Sequence, residues 1–266
     1  MFGSLSVAAA LALSPAQTGG LQITNVRTTY GELGAVRTDT KYLPGDLFFL
    51  AFDVEGLTIG PDGKVSYEMA MQVLKGGKEI IPPKPAARDE YLLLGGSKLP
   101  SRAYVILEPN QEPGVYTCKL TVTDRTTKQM KTLEKNFEVK RKDFGLVGLY
   151  TSADDKGEHP APPIGIVGQN LHVHALVIGF GRNAKQQPDG QVELKIYDAA
   201  GKLTIPKPMA APFPAELGPM EELVTFHLLL PFNREGTFRA ELTATDKVTN
   251  KTSTVTFPIT ISAPPK

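Results

Sequence analysis

The chain has 266 residues, of which 41% are hydrophobic and 21% charged, so it is long enough for about two globular domains. Its 29 basic and 28 acidic side chains give a formal charge of +1, which excludes the basic footprint of a nucleic-acid-binding protein. The only cysteine is Cys118, so no intrachain disulfide can form and packing has to stabilise the fold.

The N-terminal part of the sequence contains a short apolar run, residues 5–13, followed by Ser14-Pro15-Ala16. Such a run is too short to span a bilayer, but with small residues behind it the pattern is typical of a secretory signal peptide. We therefore predict a signal peptide over residues 1–18 and a secreted, periplasmic or cell-surface protein. No cysteine follows the run and no other segment is apolar enough to cross a membrane, so we expect neither a lipid anchor nor a membrane span.

The remaining sequence reads as two copies of one unit. Residues 102–128 align without gaps with residues 224–250, and the turn residues recur in the same order. The matched positions include Leu107 with Leu229, Pro109 with Pro231, Gly114 with Gly236, and Asp124 with Asp246. We predict copies at residues 19–140 and 141–266.

Each copy alternates apolar and polar residues, as in residues 116–123 and 238–245. A period of two is typical of a strand with one buried face, and the 25 glycines and 22 prolines supply turns between many short strands. The sequence therefore predicts an all-β fold, two tandem antiparallel Greek-key β-sandwiches of about seven strands each. A turn or two of helix is expected only near residues 215–223.

Residues 112–118, Glu-Pro-Gly-Val-Tyr-Thr-Cys, resemble the penultimate strand of immunoglobulin-like domains. This resemblance implies that the Tyr116 hydroxyl bonds back to nearby backbone and fixes a corner of the sandwich. Cys118 corresponds to Ala240 and is interpreted as a small core residue. Residues 114–124 are more similar to bacterial Ig-like, PKD-like and macroglobulin-type extracellular modules, which implies spacers, adhesins, or binders of proteins and carbohydrates.

His172 and His174 lie two residues apart in a predicted strand, so their side chains leave the same face. Such a pair could bind a transition metal if His159, His227 or carboxylates completed the set. The alternative is an exposed or interface pair of polar side chains.

Asp154, Asp155 and Glu158 form an acidic loop that could contribute oxygen ligands to calcium, as could the aspartates Asp124 and Asp246 at their strand ends. The alternative is a solvated turn that aspartate shapes through its own backbone.

Phe49 and Ala51 lie in a strand that is apolar on both faces, although only one face can meet the core of its own unit. The outer face is therefore either an interaction face for a partner or a face covered by a loop or by the neighbouring domain. Residues 91–94 are a candidate cover.

No catalytic or cofactor motif stands out, so we predict a protein that is not an enzyme and needs no cofactor. The sequence favours an exported binding, adhesion or spacer module for a protein or glycan partner. The alternatives are a metal-dependent binding module and an accessory subunit or domain of an extracellular hydrolase.

Overall fold

The computed structural model describes residues 20–265. These residues form seventeen β-strands and no helix, which confirms the predicted all-β fold. Residues 20–140 are called the first half below, and residues 141–265 the second half. The predicted signal peptide lies outside the described residues.

The first half contains nine strands. They are β1 (Gln22–Thr28), β2 (Lys41–Tyr42), β3 (Leu47–Glu55), β4 (Lys64–Lys75), β5 (Lys78–Ile81), β6 (Ala86–Tyr91), β7 (Lys98–Ile106), β8 (Gly114–Asp124) and β9 (Met130–Val139).

The second half contains eight strands. They are β10 (Gly145–Ser152), β11 (Ile164–Ile166), β12 (Asn170–Ile178), β13 (Gly190–Tyr197), β14 (Met209–Pro212), β15 (Leu223–Pro231), β16 (Gly236–Asp246) and β17 (Lys251–Ser262). Both halves exceed the predicted seven or so strands, because short segments such as β2, β5, β11 and β14 pair at sheet edges. Residues 215–223 form turns and the start of β15 instead of the expected helical turn.

The strands form four sheets, two in each half. In the first half, one sheet has the order β1-β3-β7 and the other β2-β9-β8-β4-β5, with β6 also pairing with β4. In the second half, the orders are β10-β12-β15 and β11-β17-β16-β13-β14. Pairing is antiparallel except between β2 and β9 and between β11 and β17. Apart from β6, which has no counterpart among the strands of the second half, the strands of the two halves follow the same order.

Each half has a hydrophobic core between its two sheets. In the first core, Phe48 and Leu50 of β3 alternate inward and are fully buried together with Leu120 of β8. In the second core, Val173 of β12 and Leu242 of β16 have the same role. Burying one such side chain contributes roughly 1.5–3 kcal/mol, so these alternating strands are the main source of stability.

The edge strands β7 and β15 depart from the gapless sequence alignment. The Leu107 N–H donates to the Asp46 carbonyl, and the equivalent bond in the second half runs from Phe232 to Gln169. Leu107 therefore corresponds to Phe232, and its predicted match to Leu229 is wrong. The cause is a shorter connection to β16, since β15 ends at Pro231 and β16 begins at Gly236.

Candidate functional site

Phe49 and Ala51 lie on the outer face of the sheet formed by β1, β3 and β7, because Phe48 and Leu50 point into the core. Phe49 lies opposite Tyr104 of β7, and the two rings stack with their centroids 5.8 Å apart and an angle of 4° between them. Tyr104 is exposed, so the outer face presents an aromatic side chain to solvent.

A pocket of about 290 Å³ opens beside this aromatic pair. Phe49 and Ala51 line it, and Arg102 and Glu32 add an ion pair with an N–O distance of 2.8 Å. Pro162, from the second half, also lines the pocket. Both halves therefore contribute to its walls.

Residues 29–36, the loop after β1, contribute Thr29, Glu32, Leu33 and Gly34 to the wall of this pocket, and Phe49 is 4% exposed. The Thr29 N–H donates to the Phe49 carbonyl at 3.1 Å, and Leu33 belongs to the pocket wall. The idea that residues 91–94 provide the cover is wrong. Leu93 and Leu94 are 83% and 104% exposed, because they follow β6, which pairs with β4 in the other sheet.

A buried ion pair begins at the residue after this loop, Arg37. Arg37 Nη1 lies 2.8 Å from Asp46 Oδ2, and the guanidinium lies over the ring of Tyr42 at 3.9 Å. The other carboxylate oxygen, Asp46 Oδ1, accepts the backbone N–H of Gly148 in β10 at 2.9 Å. Burial raises the pKa of Tyr42 to about 12, so this phenol stays neutral beside the ion pair. One carboxylate thus connects the two halves.

Close packing adds to this junction. Gly31 has a φ of +71°, and a Cβ at this position would lie 2.5 Å from Tyr150 Cβ, so glycine is required on both counts. Leu43 contacts Gly145 at the start of β10. Ala35 is buried in the hydrophobic cluster of the second half. The halves are therefore in contact through side chains as well as through the linker, residues 140–143.

His172 and His174 lie on the outer face of the sheet formed by β10, β12 and β15, where they belong to a cross-strand ladder of rings. His174 is opposite Tyr150 on one side and His227 on the other. Its ring stacks on both, with centroid distances of 4.6 and 4.9 Å and angles of 9° and 15°. These distances match the spacing of neighbouring strands. The His172 ring lies edge to edge with the His227 ring, with centroids 4.9 Å apart and an angle of 8° between the planes.

The hydrogen bonds of this ladder assign different roles to its members. Ser152 Oγ donates to the Asp154 carbonyl and lies 2.7 Å from His174 Nε2, so the imidazole is the donor in the second bond. His172 Nδ1 and His227 Nε2 are 2.7 Å apart. Burial, followed by the charges of His227 and His172, lowers the pKa of His174. His174 is thus a buried, neutral imidazole at pH 7.

The ladder is not arranged as a metal centre. His172 Nδ1 and His227 Nε2 are hydrogen bonded to each other at 2.7 Å, so these facing nitrogens are used within the pair. The ring of His174 is stacked on His227, so its in-plane nitrogens do not point towards that pair, as a shared tetrahedral zinc would require. Across residues 20–265, no group of three or more His, Cys, Asp or Glu side chains is placed to hold a metal ion. The structure brings His172, His174 and His227 together through one stacked contact and one hydrogen bond between rings.

The acidic loop is organised by its own hydrogen bonds. Asp154 accepts the backbone N–H groups of Lys156, Glu158 and His159 and lies 3.0 Å from His159 Nδ1. Desolvation raises the pKa of Asp154, but these bonds outweigh it and lower the pKa to about 2. Asp155 and Glu158 are exposed. The arrangement is that of a turn shaped by one aspartate.

Asp124 and Asp246 fix equivalent hairpins between the last two strands of each half. Asp124 also accepts the backbone N–H and hydroxyl of Thr58, both at 2.8 Å, and Asp246 accepts the N–H of Gly181 at 2.8 Å. Both aspartates are buried. Their carboxylate oxygens therefore accept hydrogen bonds from the protein itself, and they connect each hairpin to the loop that follows β3 or β12.

Tyr116 and Cys118 lie on the core side of β8. The Tyr116 hydroxyl donates to the Glu112 carbonyl at 2.6 Å and accepts from the Gln111 amide at 2.9 Å. The hydrogen bond to Glu112 is the bond from the tyrosine hydroxyl to preceding backbone that the resemblance implied. Cys118 is buried, and burial raises the pKa of its thiol to about 12. Such a thiol is not a nucleophile at neutral pH.

Sequence reasoning missed Tyr104, Tyr150 and the pair of Arg37 and Asp46. Tyr104 and Tyr150 join their sites only through strand register, which places Tyr104 opposite Phe49 and Tyr150 opposite His174. Arg37 and Asp46 looked like ordinary loop charges. The sequence signal for this pair was Tyr42, an aromatic residue that lies between Arg37 and Asp46 and two residues before the Pro44-Gly45 turn.

No family model matches the chain, and no curated protein matches it. The structure is similar to red sea bream transglutaminase (10% identity, TM-score 0.29), covering 92% of this chain and 32% of that one. It is similar to a family 123 glycoside hydrolase from Clostridium perfringens (11% identity, TM-score 0.32), covering 46% of this chain and 27% of that one.

A third similar structure is the C-terminal domain of the Streptococcus pyogenes antigen I/II-family protein AspA (9% identity, TM-score 0.31), covering 91% of this chain and all of that one. The chain thus spans about a third of the transglutaminase and about a quarter of the hydrolase. At these TM-scores the similarities carry no argument about function. Within residues 20–265, no helix is long and apolar enough to cross a membrane.

Proposed function

We propose that the protein is an exported, non-catalytic scaffold of two tandem immunoglobulin-like β-sandwiches that binds a protein or glycan partner at the Phe49 pocket. The observation that carries this proposal is the pocket itself. The first half supplies Phe49, Ala51, Arg102 and Glu32, and the second half supplies Pro162. A pocket with walls from both halves requires that the halves keep a fixed position relative to each other. The hydrogen bond from the Gly148 N–H to Asp46 Oδ1 favours such a fixed junction.

The shared strand order supports the tandem arrangement. In both halves a three-stranded sheet faces a larger one, and a short strand pairs in parallel with the last long strand. Turn geometry agrees, since Gly114 and Gly236 have φ values of 143° and 140°, and Lys128 and Asn250 have 64° and 57°.

The chemistry of the described polar residues supports a non-catalytic role. The carboxylates of Asp46, Asp124, Asp154 and Asp246 accept hydrogen bonds that hold loops in place. His174 is stacked and hydrogen bonded, and the Cys118 thiol stays protonated at neutral pH. These groups stabilise the fold and are not poised to react.

The pocket combines features used in binding partners. An exposed tyrosine, Tyr104, lies beside it and can stack on a sugar ring or an apolar side chain. Arg27, Arg102 and Glu32 provide hydrogen-bonding groups around an apolar floor. Aromatic and arginine side chains are enriched among the residues that dominate binding energy.

Photocrosslinking in the native organism tests this function. Tyr104→benzoylphenylalanine should form one dominant adduct, whose mass and sensitivity to protease or glycosidase identify a protein or a glycan. Tyr91→benzoylphenylalanine, at a similarly exposed tyrosine on the other sheet, should not form it. Adding Ala51→Asp should remove the adduct, whereas Leu94→Asp should leave it. The same adduct from both crosslinker positions, or one insensitive to Ala51→Asp, would reject the Phe49 pocket.

Export is tested separately by N-terminal sequencing of the mature protein from culture medium or envelope. Cleavage near Ala16 is expected. A protein that retains Met1 and stays in the cytoplasm would contradict the proposal.

A further inference from the structure

A second pocket, the β15 cleft, lies in the second half and enters the core between its two sheets. It has a volume of about 490 Å³. Leu194 and Ile259, which are 2% and 1% exposed, form its floor. Ile205 and Leu229 lie at its rim and are exposed. The cleft therefore has apolar walls that extend from exposed to buried residues, and its size falls in the usual range for small-molecule sites.

The first half has a smaller pocket at the equivalent place, with a volume of about 180 Å³. There Tyr116 of β8 pairs with Phe137 of β9, whereas in the second half Phe238 pairs with Ile259. Phe137 is larger than Ile259 and stacks on Tyr116 at 5.4 Å, so it fills space that Ile259 leaves open.

The neighbouring loop closes the first pocket further. Gln111 lines that pocket and donates to the Tyr116 hydroxyl, which in turn holds Glu112. In the second half, the connection from Phe232 to Gly236 is shorter, and Phe238 has no hydroxyl to bind it. The space between the two sheets is thus largely filled at this edge in the first half and open in the second.

The mouth of the β15 cleft is polar and positively charged. Asn233 and Arg234 lie there, and the Arg234 guanidinium lies 5.1 Å from the centre of the Phe238 ring. Among the described residues that line the cleft, Arg234 is the only charged one. An apolar cleft with a cation among its exposed lining residues is complementary to an alkyl chain that ends in an anion.

We propose that the β15 cleft binds a single-chain fatty acid, with the alkyl chain between the sheets and the carboxylate at Arg234 and Asn233. This site is separate from the Phe49 pocket and does not depend on the proposed partner. The equivalent pocket of the first half, at about 180 Å³, is too small for the same ligand.

Calorimetric titration of the mature full chain with octanoate, decanoate and dodecanoate, each below its micelle concentration, tests the proposal. One mole should bind per mole of protein. Affinity should rise with chain length by up to about fourfold per methylene, the value for complete burial of each group. Affinity that does not depend on chain length would contradict burial of the chain.

Substitutions along the cleft and at its mouth test the two ends of the ligand. Ile259→Phe restores the aromatic residue of the first half and should weaken dodecanoate binding by at least about tenfold. Because a larger core residue can also disturb folding, Leu229→Glu at the exposed rim provides a second block. Arg234→Glu should weaken binding of dodecanoate but not of dodecanol, whereas Arg141→Glu, the same charge change in the exposed linker, should alter neither.

Two further results would overturn the proposal. One is unchanged dodecanoate affinity in both Ile259→Phe and Leu229→Glu when both variants fold. The other is binding only to vesicles of anionic phospholipid with no binding of the free acids, which would indicate surface attraction. Ala51→Asp, in the Phe49 pocket, should leave fatty-acid binding intact, so failure of one proposal is distinguishable from failure of the other.

Discussion

Asp46 and Gly148 are joined by a hydrogen bond of 2.9 Å across 102 residues of sequence, from a backbone N–H of the second half to a carboxylate of the first. The same carboxylate pairs with Arg37 through its other oxygen. The orientation of Arg37 over Tyr42 and the position of β10 therefore depend on one side chain. A substitution of Asp46 therefore tests the junction between the halves directly.

Asp46→Ala should destabilise the protein by about 3–5 kcal/mol, because it leaves the buried Arg37 charge unpaired. Urea unfolding at pH 7 measures the effect. Glu112→Ala, which removes an exposed partner of Lys75, is the matched control and should leave the unfolding midpoint unchanged. Equal midpoints for the two variants would contradict a structural role for Asp46.

Tyr116→Phe should lower the free energy of unfolding by about 1 kcal/mol, because it removes the hydroxyl that holds Gln111 and Glu112. Tyr91→Phe removes an exposed hydroxyl and should have no measurable effect. Denaturant unfolding of both variants provides the comparison. A Tyr116→Phe protein as stable as the wild type would show that the corner contributes nothing.

His174 should make stability depend on pH near neutrality. Its folded pKa lies below the unfolded value of about 6.5, so the folded state binds fewer protons in this range. Its contribution is therefore fully present above about pH 6.5 and is lost as pH falls below that value. His174→Phe keeps a ring between Tyr150 and His227, and unfolding free energies measured from pH 7.5 to 5 should fall less steeply than in the wild type. Identical slopes would contradict this prediction.

Asp154 should contribute stability that disappears in acid. Its folded pKa of about 2 lies below the unfolded value of about 3.9, so the contribution is present above about pH 4 and is lost as pH falls towards 2. Thermal midpoints of Asp154→Ala should therefore lie below those of the wild type at pH 6 and converge with them near pH 2. Asp155→Ala, in the same loop, should follow the wild type throughout, and a variant that did not converge would contradict the assignment.

Cys118 should not react with a thiol reagent in the folded protein, because burial raises the pKa of its thiol to about 12. Ellman's reagent at pH 8 should release no thiolate until denaturant is added and then one equivalent. Stoichiometric reaction under native conditions would show that β8 opens readily.

The strands of the core were predictable because burial leaves a direct trace in sequence. The alternation of residues 116–123 and 238–245 matches the inward and outward faces of β8 and β16. The outward position of His172 followed from the same rule, since Val173 is buried beside it.

The sites were less predictable, because they depend on which residues face each other across strands. His174 meets Tyr150 and His227 only when the registers of β10, β12 and β15 are fixed, and a shift of one residue would separate them. The β15 cleft was concealed in the same way, since the gapless alignment matched Leu229 to Leu107 and missed the shorter connection to β16. Local patterns carry no information about such pairings.

The Phe49 pocket requires the two halves to be held as one body. Double electron–electron resonance tests it most directly, with spin labels at Ser97→Cys and Lys202→Cys, exposed positions in opposite halves, in a Cys118→Ala background that copies Ala240. One narrow distance distribution is expected, which should broaden when Asp46→Ala is added. A broad distribution in the parent protein, unchanged by Asp46→Ala, would contradict the claim.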